Sequence, residues 1–251
     1  MAKLNEIVEF LESELRTSEI PDYEGAHNGL QLQNEGEVSK VAAAVDASLP
    51  VIEKAIAANV DLLIVHHGMF WQGVRSFVGP TYQKIKKAMD HDLAIYSSHI
   101  PLDIHPAWGN NVLLAEGLEL GETTPFFDWK GIQLGRSAQS ELTLAELEGR
   151  LSALLEGPVL AQGEKNRGVG RVGVITGGAG SEVEAMAKEG IETFITGEGP
   201  HWSSPLAEEL GVNLLYGGHY ATETFGVKKV SEEISKTFGI LGTFLDHPTH
   251  L

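Results

Sequence analysis

The chain contains no cysteine, so neither a disulfide nor a thiolate-held metal enters any account of it. Basic residues are scarce: 18 Lys and Arg face 35 Asp and Glu, for a formal charge of −17. No Lys/Arg cluster interrupts that balance. Such a chain repels nucleic-acid phosphate and anionic membranes, which disfavours a nucleic-acid partner. Long hydrophobic runs are missing too, and none approaches the ~18 residues that a membrane-spanning helix needs. The opening MAKLNEIVEFLESEL is not a signal peptide, because Glu6, Glu9, Glu12 and Glu14 interrupt any apolar core. These absences predict a soluble, cytoplasmic protein.

Apolar residues make up 42% of the 251, enough to build real cores. That length fits one large domain or two of about 125 residues. Leu4, Ile7, Val8, Leu11 and Leu15 mark one face of an amphipathic helix. Beyond it, short β-branched runs alternate with helical patterns. Strands are expected at Val41–Val45, Asp61–Val65 and Leu93–Ser97, and again at Arg171–Thr176, Thr193–Thr196 and Asn213–Gly217. A helix should start after Ser48, with Pro50 in its first turn. Ser181 and Glu184 make a capping-box pattern for another. This alternation implies parallel strands joined by right-handed crossovers.

The two halves also align. Val45 falls on Thr176, Glu53 on Glu184, Val65 on Thr196, Gly68 on Gly199 and Trp71 on Trp202, at a constant offset. After one gap, YSSHIPLD (Tyr96 to Asp103) lies on YGGHYATE (Tyr216 to Glu223). A shared Tyr-x-x-His-x-x-x-acid string after matching strands points to a duplicated α/β unit, with repeats at 1–125 and 126–251.

The duplication focuses the chemistry. His66 and His67 close the strand DLLIV, and Gly68 ends it. Ligands gather at the carboxyl ends of strands in open α/β sheets. Neighbouring residues on a regular strand face opposite ways, so two His share a site only where the strand breaks. Asp103 follows the strand LAIYS, and Pro101 predicts a loop for it. His219 and Glu223 hold the equivalent place in the second half. Imidazoles with two carboxylates can hold two divalent cations, one carboxylate bridging. The expectation is therefore a single two-metal cluster of His66, His67, Asp103, His219 and Glu223 between the repeats, because Gly197 and Glu198 replace the His pair in the second half. Without thiolates, zinc, iron or manganese fit best. His99 and Glu198 align beside ligand positions and are candidates for proton transfer. Glu198 also fits as a partner that orients a ligating His. TGGAGS (Thr176 to Ser181) reads chiefly as a tight turn, and HNGLQL (His27 to Leu32) as a turn with a lesser case for binding.

HNGLQL, VDASLPVIEKA, IVHHGMFW, HIPLD with HPAWGNN, TGGAG, FITGE and GHYATETFGV together resemble the Nif-three-like family, also called GTP cyclohydrolase type-two homologues. The resemblance runs from about His27 to Pro248. It implies a duplicated α/β fold with mixed, mostly parallel sheets, one antiparallel strand in each, and a ring-shaped homohexamer. It also implies a dinuclear site in which His67 and Asp103 hold one metal, His66 and His219 the other, and Glu223 bridges. The chain has no room for the large domain that some members insert between the halves. On reaction, the family label points to a hydrolase opening the ring of a purine nucleotide such as GTP. A non-enzymatic metal carrier or interaction scaffold is the alternative, and ready release of metal to a chelator would mark it.

Overall fold

The computed structural model describes residues 1–71, 73 and 76–250. Chain contacts divide it into two compact units. One is Met1–Leu102 with Gly226–His247, and the other is Asp103–Phe225 with the short tail after His247.

The first unit is built on a five-stranded sheet in the order Leu241–Phe244, Lys40–Asp46, Leu62–His67, Ala94–Ser97, Gly29–Leu32. The first four strands are mutually parallel, and Gly29–Leu32 runs against Ala94–Ser97. Val41 to Val45 and Leu62 to Val65 are buried throughout, as expected for central parallel strands covered on both faces. Val51, Ile52 and Ala55 of helix Leu49–Ala57 and Ala88 of helix Gly79–Asp90 share one core with Ala42, Ala44, Leu63, Val65 and Ile95. The small Ala side chains on the strand admit the larger residues of the helices. Ser48 stands at the N-cap position, but its hydroxyl makes no cap and is buried without a partner; Pro50 lies in the first turn as expected. The N-terminal helix Leu4–Glu14 buries Leu4, Ile7 and Leu11, the face its spacing defines.

The second unit holds six strands in the order Thr124–Trp129, Ile132–Thr143, Gly168–Val174, Thr193–Thr196, Asn213–Tyr216, Leu160–Gln162. The three from Gly168 to Tyr216 are parallel. Each unit thus carries three consecutive parallel strands with an antiparallel strand beside the third, which is the duplication written in topology. The second sheet departs from one antiparallel strand per sheet. Both Ile132–Thr143 and Leu160–Gln162 oppose the parallel set. Beyond Ile132–Thr143, Lys130 (φ 51°) and Gly131 (φ 84°) are both left-handed, the geometry of a tight hairpin turn, and they fold Thr124–Trp129 back onto it.

A second departure concerns helix starts. The capping box forms at Thr143 and Glu146, opening helix Leu144–Leu155. Ser181 and Glu184 make none, because a 3₁₀ turn over Ala179–Glu182 precedes helix Val183–Lys188. Ser181 instead donates to Glu182, and Glu184 pairs with Lys188 at 2.7 Å. Close backbone packing sets that turn: Gly180 N donates to Glu198 O at 3.0 Å, and a Cβ on Gly180 would stand 2.6 Å from the Tyr216 hydroxyl. Among the described residues no helix is long and apolar enough to cross a membrane.

Candidate metal centre

In the first unit, His66 and His67 end the strand Leu62–His67, and no break separates them. His67 still pairs in register with Asp46. Their rings nevertheless meet, with centroids 4.9 Å apart. Side chains as long as imidazole can turn over the carboxyl edge of the last strand residues, so the expected break is not required. The ring of His99 lies 4.8 Å from that of His66 and 5.7 Å from that of His67. One ring nitrogen from each of the three lies within 4.8 Å of the others.

All three rings are fixed through Nδ1. His66 Nδ1 is 2.9 Å from Ser98 O, His67 Nδ1 is 2.9 Å from Asp46 Oδ1, and His99 Nδ1 is 2.9 Å from Asp22 Oδ1. Carbonyl and carboxylate oxygens only accept, so each Nδ1 carries the proton and the Nε2 edge is the one offered to a ligand. Gln31 braces the turn that follows: its Oε1 accepts from Met69 N at 2.7 Å, and its carboxamide occupies the space that a side chain on Gly68 would need. Trp71 stands edge-on to His99 at 4.4 Å while 39% exposed, and Tyr23 lies 6.2 Å from Trp71.

In the second unit, Asp103 closes a single helical turn, Ile100–Asp103. A loop was expected there. Pro101 is accommodated because it lies in the first turn, where its missing N–H removes no helical bond. Asp103 is buried, and its Oδ1 accepts from Asn110 Nδ2 at 2.8 Å and from Thr176 Oγ1 at 3.4 Å. His219 and Glu223 flank the short helix His219–Thr222, with Nε2 and Oε2 3.2 Å apart. His219 Nδ1 is 2.7 Å from Glu198 Oε1, the same Nδ1 anchoring as in the first unit.

The glycines explain why this half has no His pair. A Cβ on Gly197 would stand 2.7 Å from both Gly177 O and His219 Cα, so no side chain fits where the first unit has His66. Gly177, at φ 70°, leaves the space into which Glu223 Oε1 projects.

Charge also marks the second cluster. Asp103 and Glu223 are both buried, and a buried anion needs a compensating cation. For Glu223 that cation is His219. Burial opposes its protonation, but Glu223 first and then Glu198 outweigh it and raise its pKa to about 9. The donors are imidazole and carboxylate without thiolate, a set that suits zinc, iron or manganese, and the buried His and Glu groups can hold a metal ion.

Sequence reasoning missed Asp22 and Asp46 and gave Asn28 no specific role. Asp46 had a signal, since it ends the strand beside the one that carries His67. Asp22 had none. His91 and His105 make local contacts instead, with Lys87 O and with the backbone N–H groups of Ala107 and Trp108, and His247 meets Lys54.

Comparisons with known proteins show the family and the fold. The model of the Duf34/NIF3 (NGG1p interacting factor 3) family matches residues 2–247. The chain belongs to the Duf34/NIF3 family. A relative from Deinococcus radiodurans called GTP cyclohydrolase 1 type 2 homolog is 40% identical over 250 residues, covering 98% of this chain and 94% of that protein. The solved structure of TTHA1606 from Thermus thermophilus superposes with a TM-score of 0.87 at 34% identity, covering 99% of this chain and all (100%) of that one. Protein ybgI, described as of unknown function, gives a TM-score of 0.89 at 31% identity over 99% and 100% of the two chains. This Duf34/NIF3 chain therefore has the family's mixed α/β fold, with parallel and antiparallel strands in both sheets.

Proposed function

We propose that this Duf34/NIF3 protein is a metal-dependent hydrolase with a two-metal site of His66, His67, Asp103, His219 and Glu223, acting on a purine nucleotide. The observation that carries the reading is common to His66, His67 and His219: each is pinned at Nδ1 by an oxygen acceptor, as metal-binding imidazoles are. Two buried carboxylates complete the set. Divalent ions held there supply Lewis-acid polarisation and lower the pKa of water.

The chain's own residues do the rest. Glu223, the longer of the two acids, would hold both ions, and Asp103 would hold one. Glu198 orients His219 through its Oε1 and, with His99, is a candidate for proton transfer. His99 accepts a proton from the attacking water at Nε2 and returns it to the ring nitrogen that leaves as a C–N bond opens. The half-exposed faces of Trp71 and Tyr23 beside His99 suit a planar heteroaromatic ring, which favours a nucleobase over an aliphatic substrate. The name of the Deinococcus relative points the same way. The same reading makes the protein a cytoplasmic homohexamer composed of repeats 1–125 and 126–251.

The test is a screen of purine nucleotides with metal-loaded and chelated protein, read by mass spectrometry for ring-opened product. Product that appears only with the loaded protein supports the reading. Metal lost freely to a mild chelator, with no product from any nucleotide, replaces it with a metal carrier.

A further inference from the structure

We propose that Asp22 is the positioning residue for His99, holding its ring in the Nδ1–H tautomer and aiming Nε2 at the His66–His67 pair. The claim rests on the hydrolase reading only for the use to which His99 is put.

Asp22 lies in the loop after the first helix, 77 positions from His99, yet its side chain and that of His99 are only 6% and 9% exposed. Both carboxylate oxygens are engaged. Oδ1 accepts from His99 Nδ1 at 2.9 Å and from Tyr23 N at 2.6 Å. Oδ2 accepts from Asn28 Nδ2 at 2.8 Å and from Ile100 N at 3.1 Å. Asn28 turns its own Oδ1 to His99 N at 2.8 Å. The ring and the backbone of His99 are thus gripped by one two-residue device, and the next peptide N–H is bound to the same carboxylate. Burial alone would raise the Asp22 carboxyl, but the bonds from His99, Asn28 and Tyr23 N keep it below its ordinary value.

A purely structural loop anchor would need the backbone bonds to Tyr23 and Ile100 and nothing more. The bond to the ring does something further. A carboxylate cannot donate, so it dictates which nitrogen of His99 carries hydrogen. Trp71, 4.4 Å from the ring, limits its rotation from another side. The outcome is an imidazole whose Nε2 can accept a proton without first moving.

Asp22→Asn tests this because it keeps the shape and changes the dictate. Asn28 Nδ2 and Ile100 N are two fixed donors on one side, against the single fixed donor Tyr23 N on the other, so the amide oxygen is drawn to the first pair; this turns the amide N–H toward His99 Nδ1 and favours the Nε2–H tautomer. Long-range proton–nitrogen NMR on metal-free protein with labelled histidine, assigned with His99→Gln, reads the tautomer directly. The expected result is Nδ1–H for wild type and for Asn28→Ala, which keeps the ring bond, and Nε2–H for Asp22→Asn. An Nε2–H wild type, or an Asp22→Asn protein with the wild-type tautomer, overturns the proposal. Metal content of Asp22→Asn should equal that of wild type; loss of metal would make His99 a ligand and overturn its assignment as a proton acceptor. On a nucleotide that the wild type turns over, Asp22→Asn should lower kcat about 10²–10⁴-fold with KM unchanged. A switched tautomer with full turnover would sink the hydrolase role of His99 and leave the positioning standing.

Discussion

His219 Nε2 and Glu223 Oε2 are 3.2 Å apart, an ion pair whenever His219 is protonated. With its pKa raised from 6.5 to about 9, His219 contributes most to the metal-free fold when charged. Its contribution is complete below about 6.5 and is lost as pH rises through about 9. A metal must displace that proton. Zinc binding at neutral pH should therefore release protons, and apparent affinity should rise with pH until about 9. Calorimetry in buffers of different ionisation enthalpy measures this, and affinity flat over that range would remove His219 from the ligands.

Gly177 should be intolerant of substitution. At φ 70° an alanine is strained by roughly 1 kcal/mol, and its Cβ would collide with Glu223 Oε1. Gly177→Ala should lower thermal stability modestly and reduce bound metal more than stability alone explains. Thermal denaturation beside elemental analysis separates the two effects. Metal content equal to wild type would mean that Glu223 can move aside, and that it is not a fixed ligand.

Removing the two buried acids should have unequal effects. Wild type should hold about two metals per chain. Glu223→Ala should hold close to none, since loss of a bridge releases both ions, whereas Asp103→Ala should keep part. Elemental analysis after dialysis decides, and a full complement on Glu223→Ala defeats the bridging assignment. Loss of metal should also lower the melting temperature, as loss of any ligand specific to the folded state does.

His99→Ala should separate chemistry from binding. Metal content should stay at the wild-type level while turnover on the true substrate falls about 10²–10⁴-fold. Should metal leave with the side chain, His99 would belong with His66 and His67 as a third ligand, an arrangement their mutual distances permit.

Much of the architecture was legible because it is local. The runs Val41–Val45 and Leu62–Val65 are continuous and apolar, Thr193–Thr196 is β-branched and aromatic, and each became a strand. The parallel order of these strands followed from their alternation with helical patterns. Less legible was the hairpin Thr124–Trp129 with Ile132–Thr143, whose turn carries a left-handed Lys130 that no residue preference announces. The last strand, Leu241–Phe244, pairs with Lys40–Asp46 from the far end of the chain, and such pairing leaves no periodic trace.

The sequence by itself determined the donor types, the duplication, the strand end at which His66 and His67 stand, and the place of His219 just beyond another. These depend on residue identity and on short-range pattern, which a chain displays before it folds. Only the tertiary structure decided which oxygen holds each imidazole. Asp46 and His67 are 21 positions apart, as are Glu198 and His219, and Asp22 and His99 are 77 apart. A hydrogen bond needs partners within about 3 Å, and sequence separation carries no information about that distance once sheets and loops have closed.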